Sequence, residues 1–162
     1  MDATSLRVEG EVDIPREFNF ADLAALPNQV PDISALIPGR EGGGVWLTAL
    51  LEASGVRPQA SHMTLHATDG SFSASVPLAA VSERSLIVYR LGGDALPPAK
   101  GGPVRFYITD VEACAVGEVD ACANVKFLGL IELSRKPGVD TRPTTARAHD
   151  ALHEQEGHEH LA

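Results

Sequence analysis

The chain has 162 residues, 44% of them hydrophobic and 22% charged, with a formal net charge of −9, which fits one soluble globular domain around a single core. No apolar run approaches the ~18–20 residues that span a bilayer, and an acidic surface without a basic stripe interleaved with aromatics excludes a nucleic-acid partner. Two cysteines are too few for a secreted disulfide scaffold, and the opening MDATSLRVEGEVDIP, with no basic segment ahead of an apolar one, predicts a cytoplasmic location.

Residues 6–14 (LRVEGEVDI) alternate apolar and polar positions around Gly10 and predict a strand with a turn or bulge. Asn19 is placed to cap a short helix in FNFADLAALP, ended by Pro27. Val30 to Ile37 reads as a strand closed by Pro38-Gly39, and Arg40 to Gly44 (REGGG) as a loop, since consecutive glycines hold regular structure poorly. Leu47, Leu50 and Leu51 carry helical spacing over Trp46–Ser54, with Gly55 as the stop.

His62–Thr68 and Ser71–Val76 read as two strands joined by Asp69-Gly70, a hairpin dipeptide whose turn needs positive φ. Pro77 to Val81 predicts one helical turn. Leu86–Leu91, Val104–Ile108 and Leu128–Ser134 read as further strands. Beyond Lys136 the apolar pattern stops, so residues 1–136 read as the domain and 137–162 as a polar, His-containing tail. The expected fold class is α+β, a β-rich mixed domain.

Taken in order, five segments resemble the molybdopterin-binding domain of sulfite-oxidase-like oxidoreductases. They are GEVDIPREFNFADLAALP, GGVWLTALLEASGVRP, MTLHATDGSFSASVPL, LIVYRLGGDALPPAKGGPVRFYI and NVKFLGLIELS. The resemblance spans roughly residues 6–134 and implies that fold, a molybdopterin cofactor and an oxidoreductase activity. It also implies a cofactor-binding side formed by Gly101, Gly102, Arg105, Asn124 and Lys126. The residues suit this: Gly101-Gly102-Pro103 lets backbone approach a ligand closely. Arg105 presents a planar fork to a phosphate or an anionic substrate, with Lys126 as a second cation. The alternative is an Arg105 paired with a nearby carboxylate and a solvated Lys126.

One departure bears on mechanism. Catalytic members of the family carry a cysteine just after the strand that corresponds to VPDISALIP. Between Asn28 and Trp46 this chain has none, and offers only Ser34, Arg40 and Glu41 as polar candidates. A thiolate is a soft ligand that carboxylates and amides do not simply replace. Nor does this stretch show the cluster of Arg and His expected around a pyranopterin and its phosphate. The expectation is a protein without bound molybdenum cofactor that does not oxidise sulfite.

The thiols lie elsewhere. ITDVEACAVGEVDACANVK holds Cys114 and Cys122 among Asp110, Glu112, Glu118 and Asp120. This C-x7-C spacing is compatible with a disulfide, a metal or displaced cofactor ligand pair, or buried small side chains. Four of the six histidines lie in the tail, and His149 and His153 would share a helix face able to hold a divalent ion; a solvated acidic tail is the plainer reading. His62 and His66 fall on one face of a strand and read as half-buried strand residues.

Three functions follow. The first is a member of the fold degenerate in cofactor ligation, acting as a small-anion or partner-binding module. The second is an active molybdopterin-dependent oxidoreductase with Cys114 or Cys122 as an atypical metal ligand. The third is a metal-binding accessory protein using the tail histidines. Nucleophile elbows, Walker loops, dinucleotide fingerprints and His-Glu-x-x-His helices are missing from the sequence.

Overall fold

The computed structural model describes residues 4–68, 70, 72–109 and 125–138. The chain opens with strands β1 (Leu6–Gly10) and β2 (Arg16–Phe18) and helix α1 (Phe20–Ala24). Strands β3 (Gln29–Val30) and β4 (Gly43–Trp46) lead into helix α2 (Leu47–Ser54). The hairpin β5 (His62–Ala67) and β6 (Ser73–Pro77) is followed by the short helix α3 (Leu78–Val81). Strands β7 (Ser85–Leu91), β8 (Asp94–Ala95), β9 (Arg105–Ile108) and β10 (Leu128–Ser134) complete the described elements.

Two sheets form. One has the order β2-β1-β10-β5-β6, with β1 parallel to β10 and the other pairs antiparallel. The other has the order β3-β4-β7-β8, with β9 also paired to β7. Leu6, Val8, Met63, Leu65, Ile131 and Leu133 of the first sheet meet Val45, Ile87, Tyr89, Phe106 and Ile108 of the second in one core, joined by Leu47 and Leu50 of α2. This is the β-rich α+β domain that the strand spacing predicts.

Strand β7 explains why the second sheet has two useful faces. Its side chains alternate: Ile87 and Tyr89 enter the main core, while Leu86 and Val88 join Ile33, Leu96 and Tyr107 in a second cluster. A run as continuously apolar as SLIVY is what burial on both faces requires. The phenol of Tyr89 donates to Gln29 Oε1 at 2.6 Å, and Gln29 Nε2 donates to the carbonyls of Leu23 and Leu26 at 2.8 and 2.9 Å. That chain of bonds ties the end of α1 to the second sheet and satisfies a buried hydroxyl.

Local signals place most elements. Asn19 and Asp22 form a reciprocal capping box on α1, and Gly55 ends α2 in the left-handed conformation. Strands β5 and β6 pair as a hairpin, with Gly70 at φ 74°; Asp69 lies outside the described residues.

Two expectations are corrected. Val30–Ile37 is not a strand: after Val30 the chain turns through a single 3-10 turn, Ile33–Ala35, capped by Asp32. Pro31 has no N–H to extend the ladder, and the Asp32 side chain offers the backbone a competing partner. REGGG is not wholly loop either, because Gly43 and Gly44 begin β4. They sit in the sheet because nothing larger fits. A Cβ on Gly44 would lie 2.6 Å from the Ile87 carbonyl oxygen of the neighbouring strand.

Gly44→Ala is therefore expected to lower the unfolding free energy by about 1–3 kcal/mol through overpacking. A urea midpoint unchanged from the wild type would show that β4 and β7 are not held this closely.

Candidate functional site

The outer cluster of the second sheet floors a cleft of about 350 Å³. Its wall includes Arg40, Glu41, Lys100, Gly101, Arg105, Tyr107, Lys126 and Phe127, over Val88 and Leu96. Among the described residues of this wall four cations stand against one carboxylate, in a chain of net charge −9. A local excess of one sign focuses the field in a cleft whatever the net charge.

Strand period supplies two of these side chains. Along β9, Phe106 and Ile108 enter the core, so Arg105 and Tyr107 face the cleft. Arg105 is only 8% exposed, which for a guanidinium demands compensation. Its Nη1 donates to the Lys100 carbonyl at 3.3 Å, and its Cζ lies 4.5 Å from the centroid of the Tyr107 ring. Arg40 approaches the same ring, with Cζ 5.9 Å from the centroid. Tyr107 is thus an apolar, electron-rich surface against which two cations rest.

The turn Pro98–Lys100 ends at Gly101, whose φ is 91°. A Cβ there would lie 2.8 Å from Arg105 Cδ and 3.2 Å from Lys126 Cγ. Glycine is needed both for that conformation and for the space where the two cationic side chains meet. Lys126 reaches the cleft because the Phe127 N–H donates to the Gly101 carbonyl at 2.8 Å, pinning the start of β10 to this turn. Across the cleft, Lys100 Nζ and Glu41 Oε2 are 3.7 Å apart, an exposed ion pair between the two loops.

The sequence-predicted residues fare unequally. Gly101, Arg105 and Lys126 come together. Gly102 faces elsewhere: a Cβ on it would run into the Leu96 carbonyl, so its bareness serves the packing of the chain on itself. Asn124, Cys114 and Cys122, with Asp110, Glu112, Glu118, Asp120 and the tail histidines, lie outside the described residues. His62 and His66 sit half-buried on β5, with His66 Nε2 3.3 Å from Glu132 Oε1, away from the cleft. The apparent scarcity of cations is corrected: Lys100, Arg105 and Lys126 arrive at Arg40 from later segments. Lys100, Tyr107 and Phe127 were missed. Tyr107 shares strand parity with Arg105 and was within reach of sequence reasoning; Lys100 carried no signal beyond its place in a Pro/Gly loop.

The cleft donors are nitrogen and oxygen. They fit the phosphate of a molybdopterin, and Gly101 leaves a cradle beside two of them. They do not fit a soft metal, since no sulfur lines the cleft among the described residues.

Three comparisons bear on this geometry. The family model for the oxidoreductase molybdopterin binding domain matches residues 39–141, a span holding all four cleft cations. The chain is 32% identical over 108 residues to the uncharacterized oxidoreductase YuiH of Bacillus subtilis (strain 168), covering 62% of this chain and 54% of that protein. It therefore spans about half the length of this curated relative. It also superposes on the sulfane dehydrogenase SoxCD of Paracoccus pantotrophus with a TM-score of 0.60 and 20% identity, covering 84% of this chain and 39% of that one. That likeness shows a common fold. Among the described residues, no helix is long and apolar enough to cross a membrane.

Asp32 caps the turn that precedes the Arg40 loop, and Ser34 holds its carboxyl below the ordinary range, first through the side chain and then through the N–H donating at 2.9 Å. Its contribution to stability is present above the unfolded carboxyl's value and lost as pH falls through the lower folded one. The Asp32 carboxyl carbon should titrate in NMR below an unstructured aspartate, and Ser34→Ala should move it back up. An unshifted midpoint in the wild type would contradict the cap.

Proposed function

Since the chain belongs to the oxidoreductase molybdopterin-binding domain family, we propose that its cationic cleft is an anion site for the phosphate-bearing end of a molybdopterin-type ligand. The observation that carries this reading is the gathering of Arg40, Lys100, Arg105 and Lys126 around one cleft of an acidic protein. Arg105, nearly immobilised by Tyr107 and the Lys100 carbonyl, supplies a pre-oriented fork. Lys126 adds a point charge beside Gly101, where a ligand can approach the backbone. Lys100 has to exchange Glu41 for the ligand, a small cost for an exposed pair.

When bound, such a cofactor supplies the redox chemistry; the protein supplies binding, orientation and electrostatics. The cleft donors suit the second task only, and no metal-centred step is derived from them. The reading is thus a binding module of the family, degenerate in metal ligation because the segment between Asn28 and Trp46 holds no thiol.

A second reading is an active oxidoreductase whose metal is held by Cys114 or Cys122. One observation favours it: the Cys-containing segment ends at the cleft residue Lys126, four residues after Cys122.

Inorganic phosphate should bind the wild-type chain in calorimetry at low salt and weaken as sodium chloride is added. Arg105→Ala and Lys126→Ala should each reduce that affinity about tenfold or more, a loss in keeping with charge-assisted bonds. Phosphate binding indifferent to both variants would refute the anion site. Elemental analysis of protein from its native host separates the two readings. Molybdenum present in the wild type and lost in Cys114→Ser or Cys122→Ser would establish the second; stoichiometric molybdenum in all three would show that the metal is held without these thiols.

A further inference from the structure

A second cavity, of about 560 Å³, opens between α2 and α3 and shares no residue with the cationic cleft. Leu51, Ala60, Leu78 and Ala79 give it an apolar lining. Its charged residues are Glu52 and Glu83, both exposed, and among the described residues no cation joins them. Neither carboxylate has an ion-pair partner among the described residues. An apolar groove with a negative rim is complementary to a chain segment that carries arginines among small side chains.

The chain is led to this groove as it leaves β10. The Ser61 N–H donates to the Ser134 carbonyl at 2.8 Å, and Ser61 Oγ donates to the Arg135 carbonyl at 2.7 Å. Ser61 is itself part of the groove wall. Gly138, the last of the described residues, donates its N–H to Ser75 Oγ at 2.9 Å. A Cβ on Gly138 would collide with Thr64 Oγ1, so the backbone is pressed close against the sheet at this point. Ser75 lies three positions before the groove residue Leu78. Three residues span at most about 11 Å, so the groove is within reach of the first few residues that follow Gly138.

The sequence that follows has the matching charge in one place. Residues 139–162 lie outside the described residues, and they hold five carboxylates against two arginines. Both arginines, Arg142 and Arg147, fall in residues 141–148 (TRPTTARA), a stretch with no carboxylate. Its other side chains are threonine, proline and alanine, short enough to enter a groove. Pro143 fixes its own φ before any docking, which lowers what ordering the segment costs.

We infer that residues 141–148 dock in the α2–α3 groove of their own chain, with Arg142 and Arg147 toward Glu52 and Glu83. Tethered a few residues away, the segment meets the groove at an effective concentration of millimolar order, so modest contacts suffice. Docked, it covers Leu51 and Leu78 and closes the groove to basic segments of other chains.

The test is NMR on the full chain at low salt, with leucine and alanine methyls labelled. The wild type should show Overhauser contacts between the Leu51 and Leu78 methyls and residues 141–148, and these should weaken as sodium chloride is added. Glu52→Lys with Glu83→Lys should lower the docking equilibrium about fivefold or more; both positions are exposed, so the core is untouched. Adding Arg142→Glu and Arg147→Glu to that variant should bring the contacts back. Wild type without these contacts, or contacts indifferent to the charge reversal, would overturn the docking. So would contacts found only between labelled and unlabelled chains in a mixed sample, which would make a second copy the occupant.

Discussion

The constraint on which this structure turns is the burial of both faces of strand β7. Its five consecutive buried residues, Ser85 to Tyr89, commit the second sheet to packing on two sides at once. Ile87 and Tyr89 close the main core against the first sheet, and Leu86 and Val88 require a second apolar layer beyond it. That layer is thin, built from Ile33, Leu96 and Tyr107 with help from loops. A thin layer over a rigid strand is a good floor for a cleft, since the backbone beneath it is fully paired and the cover above it is loop.

The same arrangement resolves an electrostatic difficulty. A guanidinium 8% exposed costs several kcal/mol if its charge is left without compensation, on the order of the penalty for any buried ion. Arg105 meets that cost with the Tyr107 face, the Lys100 carbonyl and an open side toward the cleft. The Tyr107 ring also receives Arg40, so one aromatic side chain orders cations from two distant segments. On the proposed reading an anion would meet in Arg105 a guanidinium already oriented by Tyr107 and the Lys100 carbonyl, and pre-organisation of that kind reduces what binding must spend on ordering side chains.

Fold and cleft speak to family membership at different levels. The superposition on a structure of 20% identity shows an architecture, and an architecture hosts many functions. The match over residues 39–141 is more specific, because it begins at the rim of the cleft and spans all four cations. The stretch just before it, Val30–Ile37, is where the chain departs from the strand that its apolar residues predict. Pro31 and Asp32 replace ladder bonds with a capped turn.

Much of the fold was legible from local pattern. Asn19 with Asp22 marked α1, the Leu47–Leu50–Leu51 stripe with Gly55 marked α2, and Asp69-Gly70 marked the hairpin. These signals act within a few residues, where backbone sterics and capping decide the outcome with little help from the rest of the chain. That Arg105 and Lys126 share one pocket was readable from residue type and from the blocks around them. Three things depended on the third dimension. Gly43 and Gly44 read as loop because glycine weakens a strand in isolation; only the close approach of the Ile87 carbonyl shows why β4 begins with them. The stretch from Val30 to Ile37 read as a strand because its apolar residues suit one, until Asp32 captured the backbone. The cleft itself is the plainest case: Arg40, Lys100, Arg105 and Lys126 lie on segments up to 86 residues apart in sequence, and no local pattern records that the Gly101 turn, the Phe127 N–H and the Tyr107 ring bring them to one place.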